Sequence, residues 1–140
     1  MAMTTLQWVS GKRFVGIDST NHSVVLSSQD EGVGVKPSDM LLIALASCTA
    51  VDVVEILAKK RMLLSSMEII TTGEQDADPP WTFRKIHLKY RLSGAGLTHK
   101  AVEQAIQLSD EKYCSVNAML AAAVKINHRY QIIDAEAVAA

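Results

Sequence analysis

Only two cysteines, three prolines, seven glycines and 5% aromatic residues occur among the 140 residues of this chain. Two cysteines are too few for a disulfide scaffold. The scarcity of proline and glycine excludes collagen-like and linker-rich chains. Neither charge dominates: 14 Lys+Arg face 15 Asp+Glu, a formal net charge of −1. Such a balance supplies no basic field for a phosphate backbone, so no nucleic-acid partner is expected. His22, His87, His99 and His128 are scattered, with no CxxC or HxxxH spacing, so no metal site is expected. No glycine-rich phosphate loop calls for a nucleotide, and no cofactor is expected. The opening MAMTTLQWVSGKRF lacks the apolar core of a signal peptide.

What is plentiful is apolar side chain, 49% of the residues with a mean hydropathy of +0.13. That is high for a small soluble monomer. The length suits a single domain over 1–140, since domains most often hold roughly 100–150 residues. The apolar excess gathers from Met40 to Val54, MLLIALASCTAVDVV, interrupted only by Ser47, Cys48, Thr49 and Asp52. A bilayer span needs about 20 apolar residues, and a charge near its centre is costly. This run is shorter and holds Asp52. It reads as the buried helix of a cytoplasmic protein with no membrane partner, where thiols stay reduced unless their chemistry is catalytic.

Along the chain, Leu6 and Trp8 share one face of a first strand, and Ser10-Gly11-Lys12 offers a turn. Strands at Arg13–Asp18 and His22–Ser27 follow, separated by Ser19-Thr20-Asn21. After the polar stretch from Gln29 to Lys36, Pro37 suits the first helical position and Asp39 suits the helix dipole. The helix is expected to reach about Arg61 and, being apolar nearly all round in its first half, to be buried on every side. A fourth strand covers Met67–Gln75. Arg84–Leu92 carries the clearest strand signal, with Ile86, Leu88, Tyr90 and Leu92 on one face and Lys85, His87, Lys89 and Arg91 on the other. Thr98 caps a helix to Leu108 with Val102, Ala105 and Ile106 inward. Ser109 to Lys112 reads as a polar break before a short helix from Ser115 to Ala123. A last strand at Val124–Ile133 and a frayed AEAVAA tail complete the chain. The order βββ-α-ββ-αα-β indicates an α+β domain with segregated elements, not a βαβ nucleotide-binding fold.

Taken alone, Cys48 lies roughly 16 Å from the helix N-terminus, too far for the dipole to stabilise a thiolate. It reads as an inert core cysteine. Cys114, at the start of a short helix, reads as the more reactive thiol. Asp52 and Glu55 share the face of Cys48 at i+4 and i+7. Glu55 reads as solvent-facing, whereas Asp52 among apolar neighbours needs a partner. Arg13, Arg84 and Arg129 are candidates for that pairing or for activating a thiol, and spacing does not choose among them.

Lys36-Pro37-Ser38-Asp39-Met40-Leu41 running into Leu45-Ala46-Ser47-Cys48-Thr49-Ala50 resembles the first cysteine motif of the OsmC/Ohr family, the osmotically inducible and organic hydroperoxide resistance proteins. Glu111-Lys112-Tyr113-Cys114-Ser115-Val116 resembles its second motif. The wording SCTAVDVVEILAKKR is closest to the YhfA-like branch. The resemblance implies an intertwined homodimer, with antiparallel sheets packed around long central cysteine-bearing helices. It implies a thiol peroxidase that takes a small organic hydroperoxide and is recharged by an external dithiol. Cys48 then matches the peroxidatic cysteine and Cys114 the resolving one, the reverse of the isolated ranking. Arg13 matches the arginine that activates the thiolate. Where the hydroperoxide-resistance branch has a glutamate to orient that arginine, this chain has Ser38. Asp39 is the neighbouring carboxylate, about 100° further round the helix. That departure motivates the competing expectation, a stress-associated binding module whose cysteines merely pack. A Cys/His metal site is the third.

Overall fold

The computed structural model describes residues 1–133, and the AEAVAA tail lies outside them. The element order matches the expected one, and the chain divides into two compact units, residues 1–41 and the chain from Leu42 onward.

In the first unit, β1 (Thr5–Ser10), β2 (Arg13–Ile17) and β3 (Ser23–Ser27) form an antiparallel meander. Its turns need left-handed backbone, and Gly11 (φ +51°) and Asn21 (φ +66°), two residue types that tolerate it, supply it. A bridge from Leu26 to Val35 returns the following loop to β3. Ser27 is buried, and its hydroxyl accepts from the Val33 and Gly34 amides at 3.3 and 3.0 Å. No hydrophobic side chain of this unit is buried, and Trp8 is 70% exposed. An open groove of about 590 Å³ lies along the sheet, lined by Leu6, Ile17, Val24, Leu26 and Met40 among others. The sheet has an apolar face with no core beneath it.

The long helix α1 (Pro37–Lys59) begins in the first unit and carries the chain into the second. It ends two residues before the expected Arg61, which adopts φ +60° just beyond. It is not buried on every side. Leu45, Thr49, Val53 and Leu57, spaced by four, form its buried stripe, while Ile43, Val51 and Val54 are 51%, 64% and 48% exposed. At 100° per residue those three cluster on a different face from the buried stripe. By length and composition α1 could also cross a bilayer.

The second unit's sheet has the order β4-β5-β6, from β4 (Ser66–Gln75), β5 (Phe83–Ser93) and β6 (Lys125–Ile132). Ile86, Leu88, Tyr90 and Leu92 of β5 are at most 1% exposed, as their alternation predicts. The expectation of antiparallel sheets fails at one place: β6 runs parallel to β5. A parallel neighbour requires a crossover. It is supplied by α2 (His99–Leu108), a wide π-helical turn over Ser109–Tyr113, and α3 (Ser115–Ala121). Thr98 caps α2 as expected, its hydroxyl accepting from Ala101 N at 3.2 Å. The core joins the α1 stripe, the inner face of β5, and Ala101, Val102, Ala105 and Ile106 of α2.

Candidate active site

Cys48 sits in the middle of α1, half-buried, between the helix's buried stripe and its bare face. Cys114 lies where the crossover turns into α3, 2% exposed, and both thiols are free. Far apart in sequence, the two cysteines come close enough for the Cys48 side chain to act on the Cys114 thiol. Burial first, and the neighbouring Cys48 side chain second, push the Cys114 thiol up to about 12, against a lowering contribution from the Asn117 amide. That amide donates to Cys114 Sγ at 3.2 Å. Position at a helix start therefore does not make Cys114 a thiolate. Desolvation outweighs one backbone donor.

The residues expected to form a polar break instead continue the backbone as the π-helical turn, which ends with Cys114 N donating to Ser109 O at 2.9 Å. The buried Ser109 hydroxyl donates to Asp52 Oδ2 at 2.8 Å, so the partner of Asp52 is a serine rather than an arginine. Glu55 is exposed beside Lys59, 3.7 Å away. A cleft of about 400 Å³ opens here, lined by Asp52, Glu55, Ile56, Lys60, Leu108 and Tyr113 among others.

Beside the thiols runs a set of polar groups that the sequence pattern did not single out. Tyr90, fully buried on β5, is pushed up to about 12 by burial and keeps its proton. The Asp110 carboxylate only accepts, so His128 Nε2 donates to its Oδ1 (3.2 Å), and the Tyr90 hydroxyl lies 2.9 Å from His128 Nδ1. Asn117 Nδ2 donates to the same carboxylate oxygen at 2.7 Å. The available signal was Tyr90 itself, a hydroxyl on a buried strand face that must find a partner.

Arg13 lies in the first unit on β2, where its Nε donates to Glu31 Oε2 at 2.8 Å. Asp39, exposed in the first turn of α1, is not its partner. Arg84 is held by Asp76 at 2.8 Å, and Arg129 is exposed on β6. Among the described residues no three His, Cys, Asp or Glu side chains converge as a metal site would require.

An OsmC-like protein family model matches residues 28–129. Protein YhfA of Escherichia coli strain K12 is 36% identical over 130 residues, 93% of this chain and 97% of that protein. A crystal structure from Aquifex aeolicus VF5 superposes with a TM-score of 0.86 at 29% identity, covering 96% of this chain and 97% of the other. An organic hydroperoxide resistance protein from Legionella pneumophila has a TM-score of 0.65 at 12% identity, with 94% and 96% covered, a likeness of fold.

Proposed function

The chain belongs to the OsmC-like protein family, and from that premise we propose that it is a cysteine-based peroxidase of organic hydroperoxides. The observation that carries this reading is the meeting of Cys48 and Cys114, with Cys114 the sulfur that keeps its proton. Cys48, half-exposed, is then the nucleophile. Its thiolate attacks the outer peroxide oxygen and the O–O bond breaks. The alcohol leaves with a proton, and Cys48 becomes a sulfenic acid. The Cys114 sulfur displaces that hydroxyl as water and a Cys48–Cys114 disulfide forms. An external dithiol returns two electrons and two protons by exchange.

Arg13, held by Glu31, is the proposed cation for the thiolate, and Asp39 is the carboxylate next to Ser38, where the resemblance places the family's orienting glutamate. Both units are read as one domain, supported by a family match that runs through their boundary at Leu41. A cytoplasmic homodimer is part of the same reading. The bare faces of α1 and of the first sheet support it, as surfaces a second copy would cover. Burial of Cys114 is the one observation favouring the competing binding module.

Peroxide consumption with dithiothreitol as reductant tests the proposal. Wild type should consume cumene hydroperoxide, and Cys48→Ser should lose at least about a hundredfold in rate. Equal slow rates for both would leave the binding module.

A further inference from the structure

Beyond the two sulfurs, the polar groups around the thiols connect into one chain. Because the Asp110 carboxylate only accepts, His128 carries a proton at Nε2, aimed at Asp110, while its Nδ1 faces the Tyr90 hydroxyl. Asn117 gives both hydrogens' worth of its amide nitrogen to Asp110, at 2.7 Å to Oδ1 and 3.2 Å to the backbone oxygen. Its own Oδ1 is left buried without a donor. Such an orphan oxygen is costly, and a flipped amide would set it against the carboxylate instead. Asp110 therefore dictates how Asn117 sits, and the Asn117 backbone N–H donates to Cys114 Sγ. At its other end, the Tyr90 hydroxyl neighbours the side chain of Thr49, the residue next to Cys48, closely enough for Thr49 to lower its pKa. The π-helical turn before Cys114 is a geometry that persists only where its surroundings hold it. Here Asp52 holds Ser109, and Asn117 with His128 holds Asp110.

We propose that Asp110 and His128 are positioning residues that hold Cys114 Sγ against Cys48 and thereby set the equilibrium of Cys48–Cys114 disulfide formation. The inference rests on the redox reading above, but its test needs no peroxide. Joining the two thiols releases two electrons and two protons, which oxidised dithiothreitol accepts as its own disulfide is reduced. Reduced full-length protein is equilibrated with graded ratios of oxidised to reduced dithiothreitol, quenched with acid, and its Cys48–Cys114 disulfide quantified by mass.

Asp110→Ala and His128→Ala should lower the equilibrium constant about tenfold, the size expected when one link of a buried network is lost. His128→Gln keeps an acceptor for Tyr90 and a donor for Asp110, and should stay within about threefold of wild type. Should Asp110→Ala fail to fold, Asp110→Asn makes the same test, because it releases the charge that fixes the Asn117 amide. Alanine variants within about twofold of wild type would overturn the proposal. A glutamine variant as impaired as alanine would do the same, as would a wild type that forms no Cys48–Cys114 disulfide. A wild type that forms the disulfide yet consumes no hydroperoxide sinks the peroxidase reading and leaves the positioning role standing.

Discussion

Removing Cys48 leaves the burial that is the first cause of the raised Cys114 pKa. In Cys48→Ser, Cys114 should therefore resist iodoacetamide at pH 8 while folded. In urea it should react as an ordinary thiol, titrating near about 8.5. Equal alkylation rates in the two states would remove the basis for assigning the retained proton to Cys114. Gly11 carries a separate constraint at the same scale. Its φ of +51° disfavours a side chain, and a Cβ there would come within 2.5 Å of Glu31 Oε1. Glu31 accepts from both the Lys12 amide and Arg13. Gly11→Ala should cost about 1–3 kcal/mol from backbone strain and loosen Arg13, read by urea unfolding and by the Arg13 Nε–H exchange rate.

Among the elements, β5 was legible from sequence because one face is dry and the other wet, so its alternation states its own burial. The strand also makes stability pH-dependent. Tyr90 is raised from 10.0 to about 12, so the fold favours the protonated phenol. Stability is fully present below pH 10 and falls as pH rises from 10 through 12, by roughly 3 kcal/mol for two units. Cys114 adds a loss of the same sign beginning near its ordinary value of 9.0. Urea midpoints should fall steeply above pH 10, and Tyr90→Phe should flatten the fall between pH 10 and 12. An unchanged slope would count against a buried, protonated phenol. The π-helical turn over Ser109–Tyr113 was not legible. SDEKY has the composition of a loop, and what makes it helical lies elsewhere in the chain, in Asp52, Asn117 and His128. The parallel placement of β6 was hidden for a similar reason, since a strand's own pattern does not say which way its neighbour runs.

At the scale of the whole molecule, the sequence pattern and the single chain disagree about α1, and the proposed second copy would reconcile them. A helix apolar nearly all round should be dry, yet Ile43, Val51 and Val54 stand about half in water on one face. The first three-stranded sheet repeats the anomaly, with Leu6 and Trp8 exposed and no hydrophobic residue buried in residues 1–41. A three-stranded sheet needs a hydrophobic face packed on something to be stable, so the exposed apolar surface of both elements supports the proposed dimer. Cys48, at the edge of the bare face of α1, would then be framed by the second copy as well as by its own chain. Val51→Glu places a charge on that face and leaves the Leu45, Thr49, Val53 and Leu57 stripe untouched. Sedimentation equilibrium should give twice the 15.2 kDa chain mass for wild type and the chain mass for Val51→Glu at micromolar concentration. The variant should also unfold at lower urea, because a dimer lends each chain stability that depends on concentration. A wild type sedimenting at the mass of one chain would refute the covered-face account and leave the apolar excess of α1 without an explanation.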